Sequence, residues 1–191
     1  MKKIDFGVGA FSDVESRIGG GALIDGVVEW PVWSETGRPL TLVASLRAGD
    51  IFGPAVTGYI SIFSYYDKND YFLDSIVYHG DSSELNLIRS GSTRVVIHPQ
   101  GGLCFSEITI PPVKIDFSSV DCMGRQGSGW GGSPGLLQEE RLDLRNFDFL
   151  LQLYSADFPE PFGDVFGCPD AVGYVFISHD FSTGLFFVQA T

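Results

Sequence analysis

Three histidines, three cysteines and a dense set of carboxylates are the groups in this chain that could do chemistry. His79-x-Asp81 and His179-Asp180 each set an imidazole beside a carboxylate, while His98 stands apart. Metal sites use such pairs, but so do ordinary strand ends. No H-E-x-x-H or comparable spacing joins them, so no metal site is expected. Cys104, Cys122 and Cys168 are odd in number and show no C-x-x-C spacing, which argues against a zinc site or a disulfide framework. A cysteine nucleophile needs a base within hydrogen-bond reach. Cys122 has only Asp121, Met123 and Gly124 beside it, Cys104 lies in an apolar run, and Cys168 precedes Pro169. Gly127-Ser128-Gly129 lacks the strand–turn–helix context that exposes a reactive serine. The same glycine-rich stretch has Arg125 but no P-loop lysine. No catalytic residue and no cofactor is assigned.

The carboxylates remain. Asp157, Glu160 and Asp164 crowd one proline-rich loop, and neighbouring carboxylates can raise one another's pKa. That supplies an alternative reading, a small-molecule binder or a hydrolase using the 157–164 loop as acid and base. In a chain with 24 Asp and Glu such crowding also arises by chance. Asp67, Asn69 and Asp70 could hold calcium weakly, but the EF-hand order is missing. Among the aromatics, Trp30-Pro31-Val32-Trp33 could line a binding groove or fasten long loops onto the core, and the second role suits Trp30. Trp130, inside the glycine-rich stretch, is the candidate for an exposed contact.

The whole-chain charge narrows the partner. Twelve Lys and Arg against 24 Asp and Glu leave a net charge of −12, and the longest basic run is Lys2-Lys3. Phosphate backbones and anionic membranes need clustered cations, so neither nucleic acid nor a membrane surface fits. A basic protein is the partner that such a field steers inward, although acidity also simply keeps a protein soluble. Asp5 and the glycines after it deny Lys2-Lys3 the apolar core of a signal peptide. No run approaches 18 apolar residues. Three unpaired thiols point to a reducing, cytoplasmic location.

The elements that must position these groups read mostly as strands. There are 24 Gly and 16 Phe, with short apolar runs set between Gly, Pro, Asp and Ser clusters. Ser12-x-x-Glu15 reads as a capping box and predicts a short helix carrying Phe11, Val14 and Ile18, stopped by Gly19. Residues 40–46 read as a buried strand. Residues 58–66 and 71–78 read as a hairpin turning at Asp67-Lys68-Asn69-Asp70. Residues 94–98 and 103–110 read as a second hairpin around Pro99-Gln100-Gly101-Gly102. Residues 118–135 read as a long loop or linker without regular structure. Residues 147–154, 173–178 and 184–189 read as strands. The expected class is α+β, mainly antiparallel β, in a single domain over 1–191 with few short helices.

An internal echo accompanies this pattern. Residues 42–51, LVASLRAGDI, resemble residues 149–158, FLLQLYSADF, and each stretch leads on to a Gly-Tyr strand at Gly58-Tyr59 or Gly173-Tyr174. Two related halves, 17–117 and 130–191, would account for it, as would chance similarity between apolar strands.

Several stretches taken together resemble the YwqG-like family of bacterial proteins of unknown function. They are Gly19-Gly20 followed by Glu29-Trp30-Pro31 and Arg38-Pro39-Leu40; Gly131-Gly132-Ser133-Pro134 through Gln138; Phe149–Leu153; and Pro169-Asp170 through Gly173-Tyr174 to Asp180-Phe181-Ser182 and Gln189. The glycine before the aromatic strand is shifted relative to that family, and a proline expected soon after the first Gly-Gly is absent. The resemblance implies an α+β fold dominated by antiparallel sheet and no established activity. Members of such families sometimes sit beside bacterial toxins and are suspected to neutralise them. The resulting expectation is a non-enzymatic acidic binding protein that blocks a basic toxin domain, with Trp130, Asp67, Asp70, Asp157 and Glu160 as contact residues.

Overall fold

The computed structural model describes residues 1–7, 12–121, 125–138 and 142–191. Fourteen strands are described: β1 Lys2–Gly7, β2 Arg17–Ile18, β3 Ala22–Asp25, β4 Val32–Trp33, β5 Arg38–Pro39, β6 Thr41–Arg47, β7 Tyr59–Ser64, β8 Thr93–His98, β9 Gly102–Cys104, β10 Val113–Asp121, β11 Gly129–Trp130, β12 Phe147–Tyr154, β13 Val172–Ser178 and β14 Gly184–Gln189. Two short helices, α1 Ala48–Phe52 and α2 Ser82–Leu87, accompany them. Ten strands close into an antiparallel barrel in the order β1-β10-β2-β6-β7-β8-β14-β13-β12-β11. β3 pairs with β9 and β4 with β5 outside it. The fold is therefore mainly antiparallel β, 39% strand and 12% helix, and α+β describes it only loosely.

Side-chain alternation explains the closure. Leu42, Ala44 and Leu46 of β6, Ile60 and Ile62 of β7, Leu151 and Leu153 of β12, and Val175 and Ile177 of β13 meet in one apolar cluster. Alternate residues from opposite walls of a closed sheet can meet only inside it. Each Leu, Ile or Val among them contributes roughly 1.5–3 kcal/mol on burial. The other face of β13 and β14, with Tyr174, Phe176, Leu185 and Phe187, is covered by Tyr78 and by Leu85 of α2, with Leu136 and Leu144 packed beside them.

Several sequence expectations change here. Ser12 and Glu15 do bond each other, the Ser12 N–H donating to Glu15 Oε2 at 2.8 Å and the Glu15 N–H to Ser12 O at 3.0 Å. They close a single turn, not a helix. Ile18 instead pairs as strand with Ala44 and Val113 and enters the barrel core, so tertiary pairing overrides the local signal. Phe11 lies outside the described residues. The segment 71–78 is not the partner of β7, which pairs with β6 and β8 along its length. That segment forms one 3₁₀ turn at Leu73–Ser75 and a single parallel bridge from Val77 to Val188. β9 likewise leaves β8 for β3, where a Cβ on Gly101 would sit 2.6 Å from the Asp25 carbonyl. Only glycine permits that approach. Residues 118–135 are not a linker: β10 runs to Asp121, and Gly129–Trp130 is a barrel strand between β1 and β12.

Matching contacts recur in the two stretches that echo in sequence. The register shifts between Leu42 and Ala44 in β6 and between Phe149 and Leu151 in β12. Ser16 Oγ donates to Asp50 at 2.7 Å and accepts the Arg47 N–H at 2.9 Å. Ser128 Oγ donates to Asp157 at 2.8 Å and accepts the Tyr154 N–H at 2.9 Å. The Gly19 N–H reaches Val43 O and the Gly131 N–H reaches Leu150 O, both at 2.9 Å. Gly19 and Gly131 share a left-handed φ of 62°.

Candidate functional site

β12 runs in the same direction as β7, because the antiparallel pairs β7-β8, β8-β14, β14-β13 and β13-β12 lie between them. The segments that follow these strands, 65–74 and 155–170, therefore leave the same end of the barrel. Their contacts confirm it. The Tyr66 and Phe162 rings lie 5.5 Å apart, and a Cβ on Gly167 would sit 2.9 Å from Leu73 Cβ. Residues about 90 positions apart in sequence thus share one end face. Its exposed carboxylates are Asp70, Asp74, Asp157, Glu160, Asp164 and Asp170, with Arg38 and Lys68 as the cations of the first segment's surroundings.

Asp67 is the buried member, at 8% exposure. It accepts the Asn69 N–H at 2.9 Å and a hydrogen bond from the Arg38 guanidinium, which also donates to Tyr65 Oη at 3.1 Å. The Asn69 amide, together with Arg38, holds its carboxyl below the ordinary aspartate value despite burial. Asp67 and Asp70 help line a cavity of about 330 Å³ whose other walls include Tyr65, Tyr66, Arg38 and Glu107. Tyr65 and Tyr66 are set by Phe72, at ring separations of 6.2 and 5.3 Å. Burial, and then Asp164 and Asp67, push the Tyr66 phenol up.

Of the remaining expected contacts, Asp157 and Glu160 are exposed on this end. Asp157 also receives the Ser128 N–H at 3.2 Å and the Ser128 hydroxyl. Neither it, Glu160 nor Asp164 lines the 330 Å³ cavity. Trp130 is not an exposed contact. It is half-buried, its ring meets Phe117 at 5.3 Å, and its indole N–H donates to Ser118 O at 3.1 Å. As a barrel-strand residue between β1 and β12 it is drawn onto the wall, which glycine richness around it did not reveal. The exposed aromatic that sequence reasoning missed is Tyr71, at 71% the most exposed large hydrophobic residue described. Its hydroxyl donates to Asp74 at 3.1 Å, and it follows Asp70 directly. Reading 71–78 as a strand hid it.

Most of the groups screened for chemistry are buried or already bonded within the fold. His98 Nδ1–H donates to Pro99 O at 2.7 Å, so Nε2 accepts from Ser61 Oγ at 2.9 Å. Ser61 is fully buried and no substrate reaches it. Asp81 caps α2 through the Ser83 N–H rather than serving His79. Asp180 takes hydrogen bonds from Ser178 and Ser182, which lower its pKa to about 2, rather than serving His179. Ser128 is buried and bound to Asp157. Cys104 is half-buried, its thiol pushed up by burial, and Cys168 is half-buried. Cys122 lies outside the described residues. Among the described residues no group of three metal-ligating side chains gathers, and no helix is long and apolar enough to cross a membrane.

The chain matches no family model, and no curated protein matches it.

Proposed function

We propose that this chain is a non-enzymatic binding protein whose acidic end face captures a basic protein, as an immunity-type inhibitor captures a toxin domain. The observation that carries this reading is the convergence of two distant loops. They bring Asp70, Asp74, Asp157, Glu160 and Asp164 to one end of the barrel, where Tyr71 is also exposed. Such a face accelerates encounter with a cationic surface, and a protruding tyrosine supplies a rigid anchor at small entropic cost. The burial or prior engagement of Ser61, His98 and Ser128 supports binding over catalysis.

The test is affinity capture from a bacterial lysate with the wild type and with a variant carrying Asp70→Lys, Asp74→Lys, Glu160→Lys and Asp164→Lys. The expected result is one dominant basic protein, held by the wild type, lost from the variant and released as salt rises. Equal capture by both forms would sink the reading.

We also propose that the halves descend from one repeated unit, as the echo between residues 42–51 and 149–158 suggests. The paired Ser–Asp clasps, the bulges at equal positions and the left-handed Gly19 and Gly131 support it.

A further inference from the structure

We infer that the 330 Å³ cavity between Tyr65, Tyr66, Asp70 and Glu107 is a receptor for a single guanidinium-bearing side chain, the arginine anchor of the basic partner. This rests on the reading of the acidic end face and specifies its deepest contact. The first support is chemical: the cavity already holds one guanidinium. Arg38, exposed over more than half of its side chain, is bound along one wall by Tyr65 Oη and by the buried Asp67 carboxylate. Both contacts are made by one nitrogen, Nη1, so the wall already receives a cation, and a guanidinium, with five donors in a fork, can reach carboxylate and phenol together where a compact ammonium cannot.

The second support is what Arg38 leaves over. Asp70 and Glu107 line the same space, and neither forms an ion pair among the described residues. Three carboxylates face two cations, Arg38 and Lys68, and Arg38 is committed to Asp67. The vacancy in charge is negative. The third support is the aromatic wall. Tyr66 lines the cavity and is half-buried and held by Phe72 at 5.3 Å and Phe162 at 5.5 Å, so an aromatic group is fixed within reach of a bound cation. The volume lies at the small end of the roughly 300–1,000 Å³ typical of ligand pockets, which suits one side chain rather than a cofactor.

The probe is N-acetyl-arginine methylamide, whose only charge is its guanidinium, titrated into the whole chain at low salt and followed by NMR. The expected result is saturable binding with a dissociation constant on the order of a millimolar, a value usual for one isolated anchor. Tyr65 and Tyr66 resonances should shift. The uncharged isostere, N-acetyl-citrulline methylamide, should not bind. Asp70→Asn with Glu107→Gln should weaken the arginine probe at least about fivefold, since each removes a charge-assisted contact. Both positions are exposed, so an unchanged amide spectrum elsewhere verifies the fold. Asp148→Asn, exposed at the opposite end of β12 and off the cavity lining, should leave affinity unchanged. No saturation, equal binding of citrulline, or indifference to the double substitution overturns the inference. Probe failure with partner capture intact fells the cavity and spares the face; probe binding without any captured partner does the reverse.

Discussion

Replacing Gln152 by alanine removes a strut that one half of the barrel depends on. The side chain is fully buried in β12. Its Nε2 donates to Arg125 O at 2.9 Å and Gly127 O at 2.8 Å, and its Oε1 accepts the Gly135 N–H at 2.9 Å. It therefore holds both flanks of β11. Each orphaned buried group costs about 1–3 kcal/mol. Arg125 is exposed and Gly127 and Gly135 are half-buried, so water relieves part of this and the low end applies to each. Three such groups make the expected loss about 3–4 kcal/mol, or a fall of roughly 6–16 °C in melting temperature for a chain of this size. Urea denaturation checks it, with the midpoint falling and the slope unchanged. The other half performs the same task differently. Arg17, fully buried in β2, donates to Asp13 O, Glu15 O and Gly21 O. Arg17 pairs across the sheet with Ser45 as Gly129 pairs with Gln152, so large and small have changed places. Ser45 Oγ has no hydrogen-bond partner among the described residues. Arg17→Gly with Ser45→Gln rebuilds the second arrangement in the first half. The double variant should be more stable than Arg17→Gly alone, by a coupling above about 1 kcal/mol. Additive losses, or a Gln152→Ala cost below about 1 kcal/mol, would refute the strut argument.

Two further outcomes follow from single residues. Burial holds the His98 pKa below its ordinary value, against the Pro99 carbonyl that raises it. The neutral ring's contribution is complete above an unfolded value of about 6.5 and is lost as pH falls from there through the lowered folded value. His98→Gln should flatten the acid limb of the urea midpoint measured against pH in that window, and an unchanged limb would contradict this. Phe181 is the one described non-glycine residue at positive φ, 56°, and it is 53% exposed beside Phe52 at 5.2 Å. Left-handed backbone costs a side-chain-bearing residue roughly 1–2 kcal/mol, so Phe181→Gly should be neutral or stabilising and Phe181→Val destabilising by denaturant titration.

Much of the wall was legible in the residues. β6, β12, β13 and β14 announced themselves because alternating or continuous apolar runs between glycines have few other uses. Ser12 and Glu15 misled because their bond is real, yet Ile18 gains more inside a closed core than a single turn gains from a cap. Asp67 and Asp70 were singled out as a hairpin turn; Asp67 does accept the Asn69 amide, but no hairpin closes there because β7 pairs with β6 and β8. Trp130 looked free because glycines surrounded it, and strand pairing with Leu151 and Lys2 made it part of the wall.

Composition and local pattern by themselves determined a β-rich, acidic chain without metal or nucleophile spacing, since those properties are sums over residues or lie within a few positions of one another. Barrel closure, the choice of β8 over 71–78 as partner of β7, and the meeting of the 65–74 and 155–170 loops were decided only in three dimensions. Strand partners are chosen by which apolar faces can close around one core, and that competition spans the whole chain. The acidic end face exists because β7 and β12 point the same way around a closed sheet, a relation that no window of sequence contains.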